Sequence, residues 1–183
     1  MGTSKVHQAL EALVARLDQL DIPYAILGAL ALNAYGHLRA TVDVDVLLTR
    51  DGLERFRAAS LGRGYVEKFP GSRGLRDTER NVEIDVLLAG DFPGDGREKP
   101  VRFPDPSVCA VKGVTFALVS LETLIELKIA SGMTAPHRLR DLADVIELIR
   151  LNVLPAAYGD RLHPSVRDRF GDLWHAAQVV DPE

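Results

Sequence analysis

Apolar residues recur along this chain in two rhythms. From Lys5 to Leu20 the spacing is helical, with Val6, Leu10, Leu13, Val14 and Leu17 on one stripe, and Asp21 and Pro23 end the helix. Tyr24 to Leu27 reads as a short strand. Gly28 turns the chain into a helix through Leu30, Leu32 and Tyr35 that stops at Gly36. Thr41 to Leu48 alternates as a strand, with Val42, Val44 and Val46 on one face and Asp43 and Asp45 on the other. Asp51 reads as the cap of a helix to about Ser60, with Leu53 and Phe56 inward, and Gly62 and Gly64 end it. Tyr65 to Phe69 is a further strand. Pro70 to Arg80 is polar and glycine-bearing, which predicts a surface loop or hairpin. In Asn81 to Leu88, Val82, Ile84 and Val86 alternate with Glu83, Asp85 and Leu87. Ala89 to Pro106 is rich in Gly, Pro and charge and reads as a mobile surface loop. Ser107 to Val119 holds two short strands around Lys112-Gly113.

From Ser120 the rhythm is helical throughout. Ser120 is a good cap for a helix over Leu121 to Ser131, which Gly132 breaks. A second helix runs from near Pro136 to about Leu151, with Leu139, Leu142, Val145, Ile146 and Ile149 as its stripe. A last helix spans Ser165 to Gln178, with Val166, Phe170, Leu173 and Trp174 inward. The expected fold is α/β (α+β): a small mixed sheet flanked by helices over residues 1–119, then a helical bundle over residues 120–183.

Candidate chemistry lies on the two acid-bearing strands. Two carboxylates on one face of an otherwise apolar strand repel each other and lose hydration, so a positive partner is expected. If the strand carrying Asp85 is a neighbour, about 4.8 Å away, three acids converge. Oxygen-only ligands favour Mg²⁺ or Mn²⁺ over zinc. Two such ions roughly 3.5–4 Å apart can clamp an in-line displacement at phosphorus. Taken alone, an Asp-x-Asp on a strand more often marks a solvated face, and Glu83 shares the face of Asp85 as an alternative ligand. Gly28 lets backbone amides approach a phosphate. Lys128 leaves the apolar stripe of Leu121, Leu124 and Ile125, and either reaches solvent or meets a buried anion. Asp141 faces either the cleft or solvent, and Asp144 reads as a surface pair with Arg140 at i,i+4. His37 reads as a loop histidine, Cys109 as packed, and Arg39 as equally suited to the site or to a surface pair.

Bulk properties narrow the class. The formal net charge of -4 gives no overall basic signal for nucleic acid, although Arg63, Lys68, Arg73, Arg76 and Arg80 cluster and would favour RNA if they form a rim. One cysteine in 183 residues forms no internal disulfide, which fits a reducing cytosol. No signal-peptide core and no run of about 18 apolar residues is present, so a cytoplasmic protein without membrane contact is expected.

Ile26-Leu27-Gly28-Ala29, then Asp43-Val44-Asp45, and later Ile84-Asp85-Val86 resemble the signature of the polymerase-β-type nucleotidyltransferase superfamily. The order Gly28-x-Leu30 … Arg39-x-Thr41-x-Asp43-x-Asp45, with Leu127-Lys128 and Arg138-x-Arg140-Asp141-x-x-Asp144, is closer to the abortive-infection (AbiEii-type) nucleotidyltransferase toxins. This resemblance covers roughly residues 24 to 148. It implies magnesium-dependent transfer of a nucleoside monophosphate from an NTP to an acceptor hydroxyl. Asp43 and Asp45 would bind both metals, and Asp85 would assist the catalytic metal and deprotonate the acceptor. Gly28 and Ala29 would receive the triphosphate, with Arg39, Thr41, Lys128 and Asp141 around the nucleotide. The implied acceptor is RNA, such as a tRNA end, or a protein hydroxyl, with an antitoxin as cognate partner. Many members carry Ser after the glycine. Ala29 keeps the amide and lacks the hydroxyl, which leaves two other readings open: an antibiotic-modifying enzyme, and an inactive nucleotide- or partner-binding module.

Overall fold

The computed structural model describes residues 4–179 of the chain. Among these residues seven strands form one mixed sheet: β1 (Ala25–Ile26), β2 (Asp43–Leu48), β3 (Tyr65–Glu67), β4 (Leu75–Asp77), β5 (Val82–Leu88), β6 (Ala110–Lys112) and β7 (Ala117–Val119), in the order β3-β4-β5-β2-β1-β7-β6. The helices are α1 (Lys5–Gln19), α2 (Gly28–Ala34), α3 (Arg50–Ser60), the single turn α4 (Pro106–Cys109), α5 (Leu121–Thr134), α6 (Leu139–Leu151) and α7 (Pro164–Gln178). The expected architecture, a small mixed sheet with flanking helices and a helical C-terminal stretch, is the one observed.

Central position explains the composition of β2 and β5. The two strands pair in parallel over their length; Val44, Val46, Val82, Ile84 and Val86 are buried beneath them, and Leu47 is buried on the opposite face. Parallel pairing requires a long crossover. Here it carries α3 and the β3–β4 hairpin, which returns antiparallel onto β5. The α1 stripe behaves as its spacing predicts: Leu10, Leu13, Val14 and Leu17 are buried, and Ser4 caps the helix by accepting from the His7 amide.

Several local expectations are corrected. Thr49, not Asp51, caps α3, because its hydroxyl accepts from the Gly52 amide while Asp51 sits in the first turn. The polar stretch 70–80 is the hairpin of the two readings offered, but it is not confined to the surface: it contains β4, whose Leu75 is buried and which pairs with β5. Val42 precedes the strand and is 83% exposed. Leu139 is 65% exposed, and Leu148 takes its place on the buried stripe of α6.

The segment from Ala89 to Pro106 is pinned rather than loose. Gly90 and Phe103 bond through N–H to O at 2.8 Å, Val101 and Phe103 are buried, and Lys99 bonds Thr134 of α5 at 2.9 Å. Glycine and proline content misses this, because the anchors are a few apolar residues and one lysine.

Gly132 does not break α5; the helix continues to Thr134. Its role is close packing, since a Cβ there would lie 2.5 Å from Leu142 Cγ on α6. Helix propensity alone favours Gly132→Ala by about 1 kcal/mol, whereas the clash costs about 1–3 kcal/mol. Gly132→Ala is therefore expected to lower stability by roughly 1 kcal/mol in chemical denaturation; an increase would contradict the packing assignment.

Candidate active site

The register of the central strands brings the acids together. Asp45 lies opposite Asp85, and Asp43 opposite Glu83. Residues paired across a ladder share a face, so all four project from the face opposite to buried Val44 and Ile84. Burial, then the charges of Asp43 and Asp85, push the Asp45 carboxyl up to about 6. Lys128 and Arg138 pull in the other direction without cancelling this.

Gly28 is required by Asp45. Its φ is +64°, and a Cβ there would lie 1.8 Å from Asp45 Oδ2. The Leu27 amide donates to the Asp45 carbonyl at 3.1 Å, which ties the turn to β2. Glycine thus permits both the left-handed backbone and the approach of the turn to the acid.

Gly28, Ala29, Arg39, Thr41, Asp43, Asp45, Lys128 and Asp141 line one cleft of about 720 Å³. One wall is the pinned segment, through Phe92, Gly94 and Phe103. Asp85 stands beside this cleft, opposite Asp45, and not in its lining. Thr41 donates to Asp43 Oδ1 at 2.5 Å. Lys68 Nζ lies 2.9 Å from Asp85 Oδ1 and 2.6 Å from Glu83 Oε2. Among the described residues, no three His, Cys, Asp or Glu side chains stand so as to hold one metal ion. Charge and donor type nonetheless fit a hard divalent cation, since the donors are carboxylate oxygens and Asp45 is disfavoured as an anion.

Behind the cleft, Lys128 meets buried anions and not solvent. Its Nζ lies 2.9 Å from Asp141 Oδ1 and 2.7 Å from Asp144 Oδ2. Ser131 donates to Asp141 at 2.7 Å. Burial works against the charge of Asp141, but Lys128 and the Ser131 hydroxyl hold its carboxyl below the usual range. Asp144 is not the surface partner of Arg140. It is 2% exposed and takes Arg39 Nη1 at 2.6 Å and His37 Nε2 at 3.1 Å besides Lys128. The Nε of Arg39 is buried without a hydrogen-bond partner.

Sequence reasoning missed Lys68 as a partner of the acids, and Asp144 and His37 as a buried junction. The basic cluster is largely neutralised: Lys68 pairs with Glu83 and Asp85, Arg73 with Asp91, Arg76 with Glu83, and Arg80 with Asp77. Cys109 is buried, as expected. No helix among the described residues is long and apolar enough to cross a membrane.

No protein-family model and no curated protein matches the sequence. The fold is similar to that of ANT(2″)-Ia in complex with adenylyl-2″-tobramycin, in a crystal structure with a TM-score of 0.52 and 14% identity, over 97% of this chain and 100% of that one. A solution structure of the antibiotic-resistance factor ANT(2″)-Ia gives a TM-score of 0.55 and 18% identity, over 92% of this chain and 97% of that one. At these identities the likeness is one of fold alone.

Two stability changes follow from the acids. Gly28→Ala is expected to cost about 3 kcal/mol, from left-handed strain plus the clash with Asp45. In an Asp45→Ala background the cost should shrink toward the strain alone; equal costs in both backgrounds would contradict the contact. Asp45 has its folded pKa raised, so its contribution to stability is present at low pH and lost as pH rises through about 6. Asp45→Asn, measured in metal-free buffer, should therefore exceed the wild type by roughly 3 kcal/mol at pH 7.5, with the advantage fading at pH 4–5. An advantage independent of pH would contradict this.

Proposed function

We propose that this chain transfers a nucleoside monophosphate from an NTP to an acceptor hydroxyl, using Asp43, Asp45 and Asp85 as acids that hold Mg²⁺ or Mn²⁺. One observation carries the reading: Asp45 lies opposite Asp85, and the turn at Gly28 approaches Asp45 so closely that no side chain fits between. Acid pair and bare turn belong to one constellation, which accidental acids on a strand would not require. The fold likeness supports the same reading.

When bound, a pair of divalent cations would stabilise charge at the reacting phosphorus and make the attacking hydroxyl more acidic. The chain's residues divide the remaining work. Asp43 and Asp45 supply carboxylate oxygens, with Asp43 oriented by Thr41. The amides of Gly28 and Ala29 receive the triphosphate, and Ala29 offers no hydroxyl to it. Lys128, fixed by Asp141 and Asp144, places a cation in the cleft wall. Arg39 lines the same cleft and carries an unpaired Nε donor. Asp85, half-exposed beside the cleft, accepts the proton of the acceptor hydroxyl. In this scheme residues 1–119 carry the catalytic acids, and residues 120–183 contribute Lys128 and Asp141.

The resemblance to AbiEii-type toxins points to RNA, such as a tRNA end, or a protein hydroxyl as acceptor, with an antitoxin as partner. A second reading takes a small-molecule hydroxyl as acceptor. It is favoured by the ion pairing of Lys68, Arg73, Arg76 and Arg80, which leaves few free cations to track an RNA backbone. The ANT(2″)-Ia structure with adenylyl-2″-tobramycin is consistent with it.

Incubation with Mg²⁺, each α-³²P-labelled NTP, and in turn total RNA, cell protein and an aminoglycoside panel separates these acceptors. Transfer of label is expected, with a loss of at least about 100-fold in Asp45→Ala. NTP binding without transfer would leave a binding module, and neither binding nor transfer would overturn the proposal.

A further inference from the structure

We propose that Lys68 is a displaceable counter-cation of the acid centre, which competes with a divalent cation for Asp85 while Glu83 retains it. This rests on the reading of Asp45 and Asp85 as metal-holding acids.

The hairpin delivers this lysine to the acids by construction. Lys68 follows β3, and its amide donates to the Gly74 carbonyl at 3.0 Å. At Gly74 a Cβ would lie 2.7 Å from Lys68 Cδ, so the missing side chain gives the lysine stem its course. The neighbouring Glu67 pairs with Arg57 of α3 and accepts from the Gly71 amide at 2.9 Å. The turn end of the hairpin is thereby tied to α3, and Lys68 reaches the acids from it on a flexible side chain.

Its ammonium spans the front of β5, 2.6 Å from Glu83 Oε2 and 2.9 Å from Asp85 Oδ1. These acids are two residues apart on one strand and share a face. An ammonium and a divalent ion on one carboxylate oxygen repel each other, so each weakens the other's hold on Asp85 by the same free energy. Glu83 is the anchor in this exchange. It is held by Arg76 at 3.0 Å as well, and it stands opposite Asp43, not opposite Asp45. Lys68 can therefore give up Asp85 and stay paired. Glu83, an alternative ligand by sequence, becomes the resting place of the displaced lysine. The protein thus supplies its own positive charge to crowded acids, and loading of the ion is coupled to a lysine swing.

Calorimetric titration of Mn²⁺ into the full chain tests this without reference to activity. Lys68→Met is expected to bind Mn²⁺ about five- to tenfold more tightly than the wild type, from loss of a competing ion pair and of a nearby positive charge. Lys68→Arg, which keeps the charge, should stay within about twofold of the wild type. Lys68→Gln, read in parallel in case the methionine variant folds poorly, should follow Lys68→Met. Unchanged or weaker binding in both neutral variants would overturn the proposal. If Asp45→Asn abolishes binding while the neutral variants match the wild type, this proposal alone fails. If the wild type and Lys68→Met both bind no Mn²⁺, the metal-holding reading of the acids fails with it.

Discussion

Like charges set side by side on two neighbouring parallel strands are the constraint to which the rest of this structure answers. Asp45 and Asp85 stand in register, with Asp43 one alternation away. Unit charges about 5 Å apart at an effective dielectric of about 20 repel by roughly 3 kcal/mol, far more than an exposed ion pair returns. An arrangement of this cost persists only where the surrounding structure imposes it. Here the fully buried apolar undersides of β2 and β5 fix the register, and a slip of one residue would turn every acid into the core.

The compensating charges reach the acid-bearing face of the sheet from two directions. The crossover between β2 and β5 brings Lys68 to Asp85 and Glu83. The helices after residue 120 bring Lys128, already shared between Asp141 and Asp144. Asp144 in turn gathers Arg39 and His37 from the segment leading into β2, so helices α5 and α6 are tied to the strand that carries the first two acids. Removing Asp144 would leave three basic side chains around a buried site. The cleft is thus bordered by cations whose own counter-ions are already in place, while Asp43 and Asp45 line it with no ion-pair partner among the described residues.

Much of this was readable in the chain. Period-2 alternation located β2 and β5, and the helical stripe located α1, because both faces of those patterns are decided by burial alone. Gly28 was readable as a turn, though the reason for glycine, the contact with Asp45 Oδ2, lies 17 residues further on. What failed were inferences from local rules. Asp144 at i,i+4 from Arg140 looks like a surface pair, yet α6 packs so as to bury it, and its partner Arg39 is 105 residues distant. Lys68 looked like part of a basic rim, because nothing local announces that β4 folds it back over β5. Gly132 looked like a helix stop, whereas close approach of Leu142 demands it inside α5. In each case a contact between distant residues decided the role of a residue whose neighbours suggested another.

The most direct test of the central claim is the titration of the Asp45 side-chain carboxyl by ¹³C NMR, with and without Mg²⁺. The account predicts a midpoint near 6 in metal-free buffer, moving downward by a unit or more when Mg²⁺ is added. A midpoint near the ordinary aspartate value, unmoved by Mg²⁺, would show that the acids neither crowd one another nor share a cation.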